Sequence, residues 1–223
     1  MLKKYLSYFI PVKIYDKKSA ISKTLEVTWN NGQLVLDSKN TNYSYGSLQR
    51  ILRIGLKNIG FKTIKNMNSV LVLGVGAGSV IKTLHQEIEY KGKITGVELD
   101  AETINIANRF FSLNTIPNLE IIIDDAFEFV LKTKTRYDLI IIDVFQDTIM
   151  PNFLFESFFT ERLCFLLNVN GFILFNTMIL SEKDEKRNKD YLSLFNTEKY
   201  SVKTLTRLEQ HNELILISNK LYK

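Results

Sequence analysis

The chain has 223 residues, 45% apolar and 24% charged, with one cysteine, two histidines and a formal net charge of +5. That length supports one sizeable domain with a small appendage, and the composition excludes a disordered, fibrous or disulfide-stapled chain. No run approaches the roughly eighteen apolar residues that span a bilayer, and so few histidines and cysteines leave a zinc site without ligands.

The N-terminal run MLKKYLSYFIPVK places two lysines before an apolar stretch, as a secretion signal does. The stretch is too short and is followed by Pro11 with no small-residue cleavage site, so a cytoplasmic protein is expected. Segment 8–40 reads as strands: Ala20–Thr28, a hairpin turn at Asn30-Asn31-Gly32, and a return at Gln33–Leu36, with Trp29 read as a packing residue. After a polar stretch, Ser47 or a neighbour is expected to cap a helix running through Leu48, Ile51, Leu52, Ile54 and Leu56 and ending at Gly60. Residues 1–66 carry 12 Lys and Arg against 3 Asp and Glu, whereas residues 67–223 carry 17 against 21. The lysines are scattered, so nucleic acid is not the expected partner; a solvated face, or a contact with the acidic part of another subunit, is.

From Val70 the elements alternate. Strands are expected at 70–73, 94–98, 119–123, 139–142 and 171–176, and helices at 79–89, 101–112, 126–132 and 153–167, the last with Cys164 as a buried thiol. A polar helix at 182–190 and two antiparallel strands at 201–206 and 213–218 complete the chain. Runs such as Leu139–Ile142 lack polar alternation, as parallel strands covered on both faces do. The expected fold is α/β: a doubly wound, Rossmann-like, seven-stranded, mostly parallel sheet with a reversed last strand, preceded by a small N-terminal β-hairpin region. The division expected is 1–46 for that extension and 47–223 for a nucleoside-binding domain.

Residues 70–100, VLVLGVGAGSVIKTLHQEIEYKGKITGVELD, carry the clearest chemistry. A strand, a turn with Gly74, Gly76 and Gly78, a helix and a second strand ending in Glu98 outline a nucleoside site, in which the acid takes ribose hydroxyls. Ser79 stands where the dinucleotide loop has its third glycine, which disfavours NAD and admits a smaller adenosine-bearing ligand. In an open α/β sheet the ligand lies beyond the strands' carboxyl ends, where Glu98 with Asp100, Asp124 with Asp125, and Asp143 converge. Asp125, followed by Ala126, suits an adenine amino group, with Leu99 or Phe127 covering the ring, and Asp143 faces the reacting end. Asp100 and Asp125 also have the setting of helix caps.

GVGAGS, VELD, IIIDDAFEF, YDLIIIDVF and FFTERLCFLLNVNGFILFN, with the preceding NNGQLVLDSKNTNYSYGSLQR, resemble the class I S-adenosylmethionine-dependent methyltransferase fold. Within it the chain resembles the spermidine/spermine synthase family over roughly residues 22–218. The resemblance implies that Gly74–Gly78 hold the methionine or aminopropyl side, that Glu98 binds ribose and Asp125 meets adenine, that catalysis follows Asp143, and that the protein is a homodimer. The chain departs from the family's acceptor motifs. Its D-x-x-D becomes Asp143-Val144-Phe145-Gln146, with Asp147 one residue further on, and D-E-x-x-Y-x-E becomes Thr41-Asn42-Tyr43-Ser44-Tyr45-Gly46-Ser47, keeping only Tyr45.

A polycationic acceptor needs carboxylates to offset its desolvation, and an amide supplies neither charge nor a base. The leading expectation is therefore methyl transfer from S-adenosylmethionine to a small molecule, with Asp143, Tyr45 and Asp147 as candidate catalytic residues. The alternatives are aminopropyl transfer from decarboxylated S-adenosylmethionine and a non-catalytic nucleoside-binding module.

Overall fold

The computed structural model describes residues 2–21, 23–38, 42–44, 46–145 and 149–220. A short helix, α1 (Leu2–Leu6), leads into four strands, β1 (Val12–Ser19), β2 (Lys23–Asn30), β3 (Gln33–Ser38) and β4 (Asn42–Ser44), which form an antiparallel sheet in that order. The expected turn closes β2 onto β3: Asn30 faces Gln33 while Asn31 and Gly32 both take positive φ. The Ser7 carbonyl accepts the Asn31 N–H at 2.9 Å and its hydroxyl oxygen the Gly32 N–H at 3.0 Å, pinning the end of α1 to that turn. The extension is thus a four-stranded sheet with a leading helix, larger than the hairpin region the sequence suggests.

Helix α2 (Ser47–Ile59) buries Ile51, Leu52, Gly55, Leu56 and Ile59, a stripe at helical spacing. Gly60 ends it as expected, and the neighbour Gly46 occupies its N-cap, with no side-chain hydrogen bond there. Next come α3 (Phe61–Lys65), β5 (Ser69–Leu73), α4 (Ser79–Lys82), β6 (Lys93–Glu98), α5 (Ala101–Phe111), β7 (Leu119–Ile123), α6 (Ala126–Lys132) and β8 (Tyr137–Ile142). The chain closes with α7 (Ser157–Leu166), β9 (Leu167–Met178), α8 (Glu182–Leu192), β10 (Tyr200–Leu208) and β11 (Asn212–Asn219). The seven later strands form one sheet in the order β10-β11-β9-β8-β5-β6-β7, parallel except for β11, which runs against both neighbours. The reversed last strand is therefore internal to the sheet.

The all-apolar strands have a direct cause. Val70 and Val72 of β5 join Leu139 and Ile141 of β8 in one cluster, while Leu71, Leu73, Ile140 and Ile142 join a second on the opposite face. The first cluster also takes Leu25, Val27 and Leu36 from the small sheet, with α2 between, so both sheets share one core.

Three expected elements differ. The helix at 79–89 keeps its α form only over α4 and continues as a π-helical turn through Thr83–Glu87, where the Ile88 N–H reaches back to the Thr83 carbonyl. The helix at 153–167 splits at the extended Glu156 into a 3₁₀ turn, Asn152–Phe155, and α7. The turn read at Asn168–Gly171 is an irregularity inside β9: Leu167 already pairs with Tyr137, and Asn170, at positive φ, absorbs the register shift before Phe172 pairs with Leu139. Cys164 is half-buried rather than buried, and burial pushes its thiol pKa up. Among the described residues no helix is long and apolar enough to cross a membrane.

Candidate active site

Strand order reverses between β5 and β8: the chain leaves β5 toward β6 and β7, then returns to the other side of β5. A crevice opens at the carboxyl ends on either side of such a switch. The Asp143 N–H donates to the Leu73 carbonyl at 2.9 Å, so the ends of the two strands are in register there. Gly74 has φ +82°, and a Cβ on it would stand 2.2 Å from the Asp143 carbonyl oxygen. Only glycine lets the chain turn this close to its neighbour. A cavity of about 400 Å³ lies over this joint, within the range of small-molecule sites.

Gly74, Gly76, Glu98, Leu99, Asp125, Ala126 and Asp143 all line that cavity, so seven expected site residues meet in one place. Gly78 does not line it. That glycine is the left-handed N-cap of α4, and a Cβ there would strike Leu113 at 2.5 Å, so its visible role is to let α4 start against that side chain. Tyr45 and Asp147, with Thr41 and Gln146, lie outside the described residues.

Glu98 is buried, with only 7% of its surface exposed. Its Oε2 accepts the N–H groups of Val75 (3.1 Å) and Gly76 (3.0 Å), and its Oε1 that of Asp100 (3.1 Å). A carboxylate has about four acceptor positions, so two are spent on holding the glycine turn, one on the Asp100 N–H, and one is left for a ligand. Burial pushes the Glu98 pKa up, and the three N–H donors pull it back. Asp100 and Asp125 are both helix caps: Asp100 Oδ1 accepts the Glu102 N–H, and Asp125 Oδ1 accepts the Phe127 N–H at 2.7 Å. Asp100 also takes a short hydrogen bond from the Ser19 hydroxyl, which fastens the end of β1 beside the second strand tip. Two residues on, Ile21 reaches the cavity lining.

Leu99 is 37% exposed and forms part of the wall. Phe127 does not serve that purpose. Its ring packs against Phe153, Phe158 and Phe159 at 5.3, 5.7 and 6.2 Å, and of these Phe153 is the one that lines the cavity.

Asp143 is the acid at the middle of the sheet. Burial and the nearby charge of Glu98 push its pKa up to about 6, against the pull of one hydrogen bond from Asn176. That bond, from Asn176 Nδ2 to Asp143 Oδ1, measures 2.8 Å. Asn176 in turn accepts from Asn212 Nδ2 at 3.0 Å. A carboxyl group poised near neutrality in a cleft has the properties of a proton acceptor. Sequence reading missed Asn176 and Asn212, as well as the contributions of Ser47, Leu48 and Ile51 from α2. The signal for Asn176 is a lone amide ending the apolar run GFILF.

Residues 52–206 match the family model described as the spermine/spermidine synthase domain. A curated polyamine aminopropyltransferase of Serratia proteamaculans is 32% identical over 128 residues, which is 53% of this chain and 43% of that protein. A probable polyamine aminopropyl transferase of Bifidobacterium longum is 28% identical over 117 residues, 52% of this chain and 26% of the relative. The matches thus span less than half the length of these curated relatives. Among solved structures, a probable spermidine synthase from Corynebacterium glutamicum superposes with a TM-score of 0.68 at 19% identity, covering 93% of this chain and 79% of the other. Identity this low speaks to the fold.

Proposed function

The chain belongs to the spermine/spermidine synthase family, and on that premise we propose that it transfers an aminopropyl group from decarboxylated S-adenosylmethionine to a small amine. The observation that carries this reading is the charge of the cavity wall. Glu98, Asp124, Asp125 and Asp143 line it, and no Lys, Arg or His does among the described residues. Intact S-adenosylmethionine brings a carboxylate that such a wall repels, whereas the decarboxylated form and an amine acceptor are cations throughout. This reverses the order of preference drawn from the acceptor motifs alone, which put methyl transfer first.

The residues present fit such a donor. The remaining acceptor position on Glu98 suits a ribose hydroxyl, Asp125 keeps Oδ2 for an amino group, and Leu99 and Ala126 give an apolar wall for a purine. The donor supplies a methylene activated by its sulfonium, so the protein's task is to align an amine, exclude water and accept one proton. Asp143 takes that proton: Oδ1 is held by Asn176, which leaves Oδ2 toward the acceptor. Val144, Phe145 and Met178 line the same cavity and shield it from water.

A small-molecule acceptor, a cytoplasmic setting and a homodimer go with this proposal. Leu2, Tyr5, Leu6, Tyr8, Phe9 and Ile10 form an exposed apolar group at the N-terminus that a second copy would cover. Methyl transfer keeps one observation in its favour: Ser47, neutral where the family carries an acid, lines the cavity.

The test is to incubate the protein with decarboxylated or with intact S-adenosylmethionine and a panel of amines, and to follow release of methylthioadenosine and S-adenosylhomocysteine by mass spectrometry. Release that depends on an amine, with a product heavier by one aminopropyl group, is expected. S-adenosylhomocysteine from the intact donor, and no methylthioadenosine, would replace the proposal with methyl transfer.

A further inference from the structure

Both Asp143 and Asn212 touch the cavity, while Asn176 between them is fully buried. The sheet register explains how three polar side chains come together in an apolar core. Asn176 pairs with Leu214 across β9 and β11, so Asn212, two residues before Leu214, lies diagonal to it on the same face. Ile142 pairs with Phe175, which brings Asp143 beside Asn176 just past the end of β8. Hydrogen bonds then run from Asn212 to Asn176 and from Asn176 to Asp143.

The direction of these bonds is chemically determined. An ionised carboxylate only accepts, so Asn176 must turn its NH₂ toward Asp143 and its carbonyl oxygen away. That oxygen is met by a donor from Asn212. Without this donor, the Asn176 amide gains nothing from the orientation that serves Asp143, and a flip would set its oxygen against a carboxylate. Using its NH₂ inward leaves Asn212 Oδ1, which takes no hydrogen bond among the described residues, for the cavity.

We propose that Asn176 and Asn212 are positioning residues: an amide relay that holds Asp143 ionised, with Oδ1 tied and Oδ2 open, and that turns the Asn212 oxygen toward the acceptor amine. The relay itself follows from the geometry of the protein; its service to an amine rests on the function proposed above. The charged groups facing Asp143 are Glu98 at the tip of β6 and, across the cavity, Asp124 and Asp125 beyond β7. From α2, β9 and β11 only uncharged groups face the cavity among the described residues. Burial and the charge of Glu98 oppose ionisation, and the hydrogen bond from Asn176 favours it.

The experiment is a carbon-13 NMR titration of the Asp143 carboxyl in full-length protein, assigned by its loss in Asp143→Asn. The wild-type group is expected to titrate near 6. Asn176→Leu, of similar size but without a donor, is expected to raise that value by about one pH unit, a tenfold change in the ionisation equilibrium. Asn212→Leu is expected to raise it less, Asn212→Gln to restore it, and the double Leu variant to match Asn176→Leu alone. That non-additivity marks a relay, because two independent structural roles would sum. Should Asn176→Leu fail to fold, the two Asn212 variants decide the matter alone.

A folded Asn212→Leu protein with an unmoved Asp143 titration would overturn the proposal, as would additive shifts in the double variant. With the amine assay above, the acid limb of the rate profile should move with the titration. A titration shift without turnover would uphold the relay and overturn the functional reading.

Discussion

The two ends of the cavity use the same residue type in opposite ways. At the end proposed to take the nucleoside, Glu98 is tied to three backbone N–H groups and Asp125 to the first turn of α6. These carboxylates are part of the scaffold, and a ligand meets only what capacity they have left. At the end proposed to carry the reaction, Asp143 has a single side-chain partner among the described residues, an amide, and its pKa is pushed up to about 6. Burial raises the pKa of both Glu98 and Asp143, but backbone donors occupy most of the acceptor positions of the first, whereas the second has one amide partner and an oxygen left for proton exchange.

The largest effect expected from breaking this contrast falls on Asp143. Asp143→Asn keeps the shape and removes the base, so the aminopropyl transfer rate should fall by about 10²–10⁴-fold while the melting temperature holds. In the unaltered protein the rate should fall below about pH 6, where Asp143 binds its proton. A pH profile flat down to pH 5 would show that Asp143 is not the base.

The joint between the two ends comes next. Gly74→Ala forces a Cβ against the Asp143 carbonyl at a positive φ, and we expect a loss of about 2–4 kcal/mol in chemical denaturation. At the nucleoside end, Glu98→Gln replaces one acceptor oxygen with a donor facing backbone N–H groups. Donor affinity should drop by about 10–100-fold, the worth of a hydrogen bond to a charged group. The same variant should leave the Asp143 acid limb in place or shift it slightly down, because a nearby negative charge is gone.

The smallest effect sharpens the comparison from outside the site. Asp37 on β3 also has a pKa pushed up to about 6, by burial and by Glu26 opposite it, yet it lies in the small sheet away from the cavity. Its folded value exceeds its unfolded one, so the folded state holds the extra proton between about pH 4 and 6 and stability falls as pH rises through that window. Asp37→Asn should therefore stabilise the protein by about 1 kcal/mol at pH 8 and leave it unchanged at pH 3. It should not alter turnover. A raised carboxylate pKa thus marks burial, and it becomes functional only where a cavity and an acceptor meet it.

Much of this was legible in the residues because strands covered on both faces are written as uninterrupted apolar runs. Val70–Leu73 and Leu139–Ile142 locate β5 and β8, and the acids that follow them locate the crevice. Local signals gave the Asp100 and Asp125 caps, the Asn31-Gly32 turn and the end of α2 at Gly60. What escaped depends on contacts between distant segments. Asn168–Gly171 has turn chemistry, yet pairing with β8 carries the strand through it. Phe127 looked free to cover a purine ring, but α7 and its preceding 3₁₀ turn surround it with phenylalanines. Asn176 and Asn212 are 36 residues apart and become partners only through the register of β9 and β11.

The cavity wall whose charged groups, among the described residues, are all acids is the centre of the account, and calorimetry tests it most directly. Titrating the protein with decarboxylated and intact S-adenosylmethionine should give at least about tenfold tighter binding of the decarboxylated form, equivalent to about 1.4 kcal/mol. The preference should shrink in Asp143→Asn. Equal affinity, or a preference for the intact form, would contradict the account and return methyl transfer to first place.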